Sequence, residues 1–586
     1  MKKFETVKHN VDFCVVGGGL SGICAAVSAA RNGAKVAIMH DRPMFGGNCS
    51  SEIRMWVCGA SSRSEDARET GIVEELQLEN CYRNPYKNYS IWDSVMYQIV
   101  RFQDNITMIL NCSCLDAEMT DDKTIKNITG WQLTTQQYHE VTAKIFADCS
   151  GDSILAPLTG AEFRWGREAK SEFNESAAPE KADGHTMGLS CMLQGREYTE
   201  PKTYIPPFWA EKFTAENLYG RKPKMDKASE NFWYIELGGM GNTIADSEVL
   251  RDELQEIAFG MWDYVKNSGE CENTENWDLD WVGMIPGKRE SRRYVGDHIL
   301  TQNDVEAEGR FDDLVAYGGW SMDDHHPMGF RYPGAPNVHY PTPDPFGIPY
   351  RCLYSKNIDN LMFAGRNISA THMSMSATRV MATCGTMGQA VGTAAAIAVK
   401  NDTTPRGVYE NYIGQLQQNL MDDDCYLPWH AKAINELTKS AQVESNGEHT
   451  DNLFNGHERN FGETENGWIG NKGDYVAFTL GTPKNVAYVR FVFDSLLNRK
   501  GEERYRRNMD ANIALNREPI VPPYTLVKAF DITYKMADGT EENITVANNY
   551  QRLVKVPLGK EVTKVKVTFR ETWGAEKAHV FAVELF

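Results

Sequence analysis

Apolar positions run along this chain in three different rhythms. Near the start they form mostly apolar blocks. Val11 to Val16 and Val36-Ala37-Ile38-Met39 are β-prone runs, with the small-residue stretch Ile23 to Ala30 between them. Such blocks predict strands buried on both faces and joined through a helix. From about residue 160 to 350 the pattern loosens into a region rich in Trp, Tyr, Pro and Gly. From Gln442 onward, apolar and polar residues alternate in short segments. These are Tyr475 to Leu480, Val486 to Phe493, Ala529 to Tyr534, Val554 to Leu558 and Val562 to Phe569, separated by Gly, Asn and Pro turns. Alternation of that kind predicts an all-β sandwich.

The segment between the first two runs carries chemistry as well as structure. Gly17-Gly18-Gly19-Leu20-Ser21-Gly22 puts glycine at the GxGxxG positions Gly17, Gly19 and Gly22. The first glycine permits the turn and the second lets backbone approach a pyrophosphate. The third lets the helix pack close to the strand, and the helix N-terminus offers N–H groups to phosphate. Gly33 ends the helix, and an acid at the end of the second strand is wanted for ribose hydroxyls. His40 stands there first, so Asp41, 19 residues after Gly22, is the expected ribose ligand. The motif alone does not separate FAD from NAD.

Composition narrows the partners. A net charge of -19 over 586 residues argues against nucleic acid. The 13 cysteines form no CxxC pair and read as reduced, mostly buried thiols. No apolar run approaches the roughly 18 residues of a membrane helix. The polar start, Met1 to Asn10, lacks the apolar core of a secretory signal. The expectation is therefore a cytoplasmic protein without membrane contact, periplasmic only if a signal has been removed. A homodimer is the generic expectation for its assembly.

Three further segments join the glycine turn. Arg42-Pro43-Met44-Phe45-Gly46-Gly47-Asn48-Cys49-Ser50-Ser51-Glu52-Ile53-Arg54 follows the second strand. Ile145 to Asp152 is a strand running into Ser150-Gly151-Asp152. Asn360-Leu361-Met362-Phe363-Ala364-Gly365-Arg366 is another strand ending at glycine, followed by Asn367 to His372. With Lys288-Arg289-Glu290-Ser291-Arg292-Arg293, these resemble the FAD-dependent oxidoreductase family of bacterial flavoproteins, distant relatives of the fumarate reductase flavoprotein. The resemblance runs from about Val11 to Ala398. It implies an α/β chain: a Rossmann-like FAD-binding domain with an inserted α+β substrate domain. Asn452 to Gly456, Trp468, Gly473 to Val476 and Val489 to Phe493 resemble a galactose-binding-like, discoidin-type jelly roll. The expected boundaries are 1–160 and 351–400 for the FAD domain and 161–350 for the cap. A helical connection over 401–440 and the jelly-roll sandwich over 441–586 complete the chain.

The resemblance implies FAD as cofactor. Gly17, Gly19, Gly22, Asp41, Arg42, Gly47, Asn48, Ser50, Arg54, Ser150, Asp152, Arg289, Gly365, Arg366, Gly388 and Gln389 are the residues expected to hold it. The family's second motif normally reads Gly-Asp, and here it is Gly-Arg. Cys49 and Cys384 fall near the same contacts, where inert packing is the expectation. Four cations around Glu290 suggest either an ion-pair network or an anion site. In an extended segment Arg289, Ser291 and Arg293 would share one face.

His372, Arg379 and Arg292 are the catalytic candidates. His372 could serve as base for a hydroxyl proton or as acid toward an alkene. Arg379 could bind a substrate anion, polarise a carbonyl, or simply pair with an acid. His325 and His326 lie among Asp323 and Asp324, but no ligand spacing elsewhere supports a metal, and none is expected. The attached sandwich suggests a carbohydrate-related small molecule as substrate. Hydroxyl oxidation by hydride transfer to flavin N5 leads. Reduction of an activated alkene and a carbohydrate-binding protein with a non-catalytic flavin are the alternatives. No second GxGxxG sits in strand–helix context, so electrons are expected to pass to or from a separate partner.

Overall fold

Blocks of apolar residues become the centre of a five-stranded parallel sheet. In a computed structural model describing residues 4–60, 67–221, 223, 225, 230–460, 464–497 and 509–586, the chain divides into two units. The first holds Met1–Ala60, Tyr86–Leu416 and Asn508–Pro519; the second holds Ser61–Pro85, Gln417–Arg507 and Ile520–Phe586. Two short excursions thus escape a reading by linear boundaries. Residues 61–85 cluster with the C-terminal part, and 508–519 with the N-terminal part.

In the first unit, β1 (Phe13–Val16), β2 (Val36–Met39), β3 (Ile106–Ile109), β4 (Ile145–Asp148) and β5 (Leu361–Phe363) lie in the order β5-β4-β1-β2-β3. All pair in parallel, with Phe13 opposite both Val36 and Ile145, and Leu361 opposite Phe146. Every residue of β1, β2, β4 and β5 is buried, which explains why these strands read as solid apolar blocks.

Helix α1 (Leu20–Arg31) leaves β1, and every residue from Leu20 to Ala30 is buried. Two later helices, α2 (His372–Thr378) and α3 (Met381–Lys400), follow β5. A Cβ on Gly388 would lie 2.1 Å from Ser21 O, and one on Gly392 2.1 Å from Ala25 O. These glycines let α1 and α3 touch backbone to backbone, and Ser28 and Thr393 hydrogen-bond across the contact at 2.8 Å.

The inserted region is built on the helix Ser247–Asn267. Its face Leu254, Ile257, Ala258, Met261, Trp262 and Val265 packs on Leu189, Leu193, Ile235 and Trp277. The short segment after residue 508 completes this region, where Asn512 Oδ1 accepts from Gly195 N at 2.8 Å.

The second unit is antiparallel β throughout its seven-stranded sheet. It surrounds one core that includes Trp468, Phe478, Phe491, Phe530, Val565 and Phe569. The expected strand pairs 475–480 with 486–493, and 554–558 with 562–569, prove to be single long strands, Tyr475–Phe493 and Leu553–Thr572. Register shifts at Thr479/Lys484 and Val486/Tyr488 let the ladder bend without ending. Among the described residues no helix is long and apolar enough to cross a membrane.

Candidate functional site: a glycine cradle beside a histidine clamp

The chain leaves β1 through Gly17, whose φ of +106° lies in the left-handed region. A Cβ there would sit 2.4 Å from the Cys149 carbonyl, and one on Gly22 would sit 1.9 Å from Gly17 O. Gly19 is the N-cap of α1; it provides no side-chain cap, and the first turn carries no acid. The loop after β2 closes over this point. Gly46 N donates to Gly18 O at 2.8 Å, and a Cβ on Gly47 would lie 3.1 Å from Gly19 Cα. Gly151 and Gly365, also at positive φ, complete a ring of bare backbone at the strand ends. An uncapped helix start beside glycine backbone fits a diphosphate. Two buried polar atoms without a partner, Arg366 Nε and Asn367 Oδ1, fit a further polar ligand at the β5 end. The residues present therefore suit FAD, whose diphosphate and hydroxyls would meet these groups.

The expected cofactor residues take different places around this cradle. Asp41 is exposed, with 63% of its side chain accessible, next to buried His40. His40 accepts from Gly18 N at 3.0 Å and so braces the turn, leaving Asp41 as the acid that faces outward. Arg42 pairs with Glu52 at 3.4 Å. Ser50 is spent on the loop itself, donating to Gly47 O at 2.8 Å, and Asn48 donates to Lys288 O at 3.2 Å. Arg54 turns away, donating to Ser51 O at 3.1 Å and lying 4.4 Å above the Trp281 ring. The Ser150 hydroxyl donates to Asp148 at 2.6 Å. Gly388 faces α1, and Gln389 is buried on the same helix. Cys49 donates to Gly46 O at 3.1 Å, and burial pushes its thiol up to about 12, which makes it inert. Cys384 hydrogen-bonds the Arg379 carbonyl at 3.3 Å.

The basic segment 288–293 ties the cradle to a second centre. Lys288 donates to Asp152 at 2.6 Å, Ser291 at 2.8 Å and Arg366 at 2.7 Å, while Arg292 donates to the Asp152 carbonyl at 3.1 Å. Arg289, Glu290 and Arg293 point elsewhere. The expectation that Arg289, Ser291 and Arg293 share a face is corrected here. The chain bends at Ser291 between the short strands Gly287–Lys288 and Arg293–Tyr294, which breaks the two-residue alternation. Two assignments change with it. Arg292 is on the cradle side, and Arg289 is away from it, donating to Ser190 Oγ at 2.7 Å and pairing with Glu236 at 3.1 Å.

The second centre is His372, the first residue of α2, buried between two acids. Its Nδ1 lies 2.9 Å from Glu290 and its Nε2 3.0 Å from Asp324. Burial works against a charged ring. The Glu290 and Asp324 carboxylates outweigh it and raise the imidazole from 6.5 to about 10. Glu290 also binds Arg293, and Arg293 reaches Glu168 at 2.7 Å. Glu168 in turn accepts the backbone N–H of His372 at 2.9 Å. This corrects the reading of His372 as a base: a doubly hydrogen-bonded imidazolium has no lone pair to receive a proton. Of the three acids in this clamp, Glu290 and Glu168 have side chains 0% and 3% exposed, while Asp324 keeps 21%.

A parallel clamp holds His325 between Glu236 at 2.7 Å and Asp323 at 3.2 Å. Arg379 is its ion-pair partner, 3.1 Å from Asp323, with Nε buried and unpartnered. Burial would raise Glu236, but Arg289 and His325 bring it down to about 2. No group of described residues could hold a metal ion. Of the acids of both clamps, Glu168 and Glu236 carried no motif that pointed to them. Only the proximity of Glu290 to the basic run and of Asp324 to two histidines was a signal.

Residues 12–420 match a family model described as FAD dependent oxidoreductase. No curated protein matches the chain. Among solved structures, the chain is similar to Mycobacterium smegmatis Sdh1 in complex with UQ1, at 12% identity and a TM-score of 0.28, over 71% of this chain and 77% of that one. It is also similar to the family 32 carbohydrate-binding module from Streptococcus pneumoniae EndoD, at 16% identity and a TM-score of 0.20, over 26% of this chain and 97% of that one.

Proposed function

The chain belongs to the FAD dependent oxidoreductase family, and from that premise we propose that it oxidises a secondary hydroxyl of a polyhydroxylated small molecule, a sugar or glycoside, to a ketone. FAD, when bound, supplies the two-electron chemistry at N5. The cradle glycines Gly17, Gly19, Gly22, Gly47 and Gly365, with Asp41 and Arg366, would hold it. The protein's remaining task is to receive the hydroxyl proton as the hydride leaves carbon.

One observation carries this reading: Asp324 is a partly open carboxylate set on a buried imidazolium. His372 orients Asp324, and Glu290 and Glu168 fix His372. Arg293, Arg164 and His372 supply the cations that face the three acids of the clamp. Asp324 is the proton acceptor and His372 a positioning residue.

The charge pattern also favours a neutral polyol over a dicarboxylate. Arg379 is paired with Asp323, Arg289 with Glu236 and Arg167 with Asp183. Cations already matched to acids offer little net attraction to an anionic enoate, whereas mixed donors and acceptors suit hydroxyls. Electrons leave through a separate acceptor.

Anaerobic mixing of the FAD-loaded protein with a panel of sugars and glycosides tests the proposal. Loss of flavin absorbance with one of them, and no added reductant, is expected. A pre-reduced protein reoxidised only by an enoate would overturn it in favour of alkene reduction. Silence toward both would leave a carbohydrate-binding protein with a non-catalytic flavin.

A further inference from the structure

His325 and His326 adjoin in sequence and face opposite ways. The strand Met322–His325 pairs antiparallel with Asn337–Tyr340, and His326 N carries the ladder one step further by donating to Pro336 O at 3.0 Å. Side chains along it alternate. Asp323 and His325 take one side, where they bond each other at 3.2 Å. Asp324 and His326 take the other side, about 7 Å apart along the strand.

The His326 ring is held in place by its face and by one nitrogen. It stacks on Tyr332, with ring centres 3.5 Å apart and planes 7° from parallel. Met328 N donates to its Nδ1 at 3.2 Å. A backbone N–H only donates, so Nδ1 keeps its lone pair and the proton of the neutral ring sits on Nε2. Burial and the neighbouring Arg167 lower the proton affinity of the ring and outweigh the opposite pull of Asp324, so it is neutral at neutral pH. No described residue hydrogen-bonds its Nε2. Asp324 is in the complementary state. His372 occupies its Oδ1 at 3.0 Å, no described residue hydrogen-bonds Oδ2, and 21% of the side chain is accessible. One face of this strand thus presents an unused acceptor and, two residues on, an unused donor whose tautomer is fixed.

We infer that His326 is a specificity-determining residue of the site: its Nε2–H donates to a second oxygen of the substrate while Asp324 Oδ2 takes the proton of the hydroxyl being oxidised. The chemistry limits that second oxygen. It must accept a hydrogen bond, so it is a nearby hydroxyl or a ring oxygen, and neither an ammonium nor a methylene can replace it. The assignment rests on the proposed alcohol oxidation with Asp324 as acceptor. It narrows the substrates to polyols that carry an acceptor oxygen close to the reacting hydroxyl. His325, locked between Glu236 and Asp323, takes no part.

The test crosses variants with substrate analogues. The sugar or glycoside that bleaches the wild-type flavin anaerobically is compared with its monodeoxy and carba analogues, each lacking one oxygen. His326→Phe keeps a ring on Tyr332 and removes the donor. Half-saturation by the parent sugar should rise about tenfold, the size of one hydrogen bond, with the limiting rate of flavin reduction changed by less than about threefold. One analogue should show the same rise in the wild type, and His326→Phe should add nothing to it. His326→Gln, which restores an N–H donor, should recover part of the loss. A merely structural role would weaken the parent sugar and every analogue alike. That result overturns the assignment, as does an unchanged half-saturation in His326→Phe. Even if neither variant folds, a wild type that binds every analogue as well as the parent overturns it. A wild type whose flavin no sugar reduces overturns the alcohol-oxidation reading, and this assignment with it.

Discussion

The glycine cradle and the histidine clamp adjoin one another and are built in opposite ways. In the cradle the work is done by backbone: Gly17, Gly22 and Gly47 matter because a Cβ would collide at 2.4, 1.9 and 3.1 Å. In the clamp it is done by side chains: His372, Glu290, Asp324, Arg293 and Glu168 come from four separate stretches of chain and hold one another by charge. The cradle leaves little room for an added atom at Gly17, Gly22 and Gly47. The clamp is long-range and tolerates no lost partner. Residues 288–293 serve both, with Ser291 on Asp152 and Glu290 on His372.

Breaking the clamp at its open end should have the largest effect. Asp324→Asn keeps the shape and removes the proton acceptor. Turnover should fall about 10²- to 10⁴-fold while FAD is retained. Stopped-flow reduction of the flavin by the substrate checks this, and a rate within a few-fold of wild type would remove Asp324 from the chemistry.

Breaking the cradle should cost less energy but a different property. Gly22→Ala forces apart α1 and the turn, a clash worth about 1–3 kcal/mol. The purified variant should lose flavin colour on dialysis while the clamp's pH behaviour persists. Full retention of FAD would mean that the contact at 1.9 Å relaxes freely.

The smallest effect, per unit of pH, sharpens the comparison. His372 is raised from 6.5 to about 10, so its stabilisation is complete below about 6.5 and is lost as pH rises toward 10. Glu236 is lowered from 4.5 to about 2, so its share is present above about 4.5 and is lost as pH falls toward 2. Each limb has a slope of at most about 1.4 kcal/mol per pH unit. Melting curves of His372→Gln should lose the alkaline limb only, and an unchanged alkaline limb would show that the clamp does not hold a proton.

The parts differ equally in how they could be read. Strands β1 and β2, α1 and the glycine turn were legible because each depends on neighbours close in sequence. Solid apolar blocks mean strands buried on both faces, and GxGxxG between a strand and a helix has one geometry. The strands of the second unit were legible in type but not in length, because a bulge keeps a ladder continuous where the alternation breaks. The excursions 61–85 and 508–519 left no local pattern to read.

Sequence by itself determined the dinucleotide-type turn, the β character of the C-terminal region and the position of His372 just beyond a strand that ends at Gly365. Those follow from residue type, spacing and covalent order. Only the tertiary structure decided that His372 is an imidazolium and not a base, and that Arg289 and Arg292 exchange sides. It also left Asn367 with an unspent acceptor. Each of these depends on which charges and donors are brought within hydrogen-bond distance across 48 to 219 residues of chain. A pKa or an unsatisfied oxygen is a property of an environment, and environments are assembled only when the chain folds.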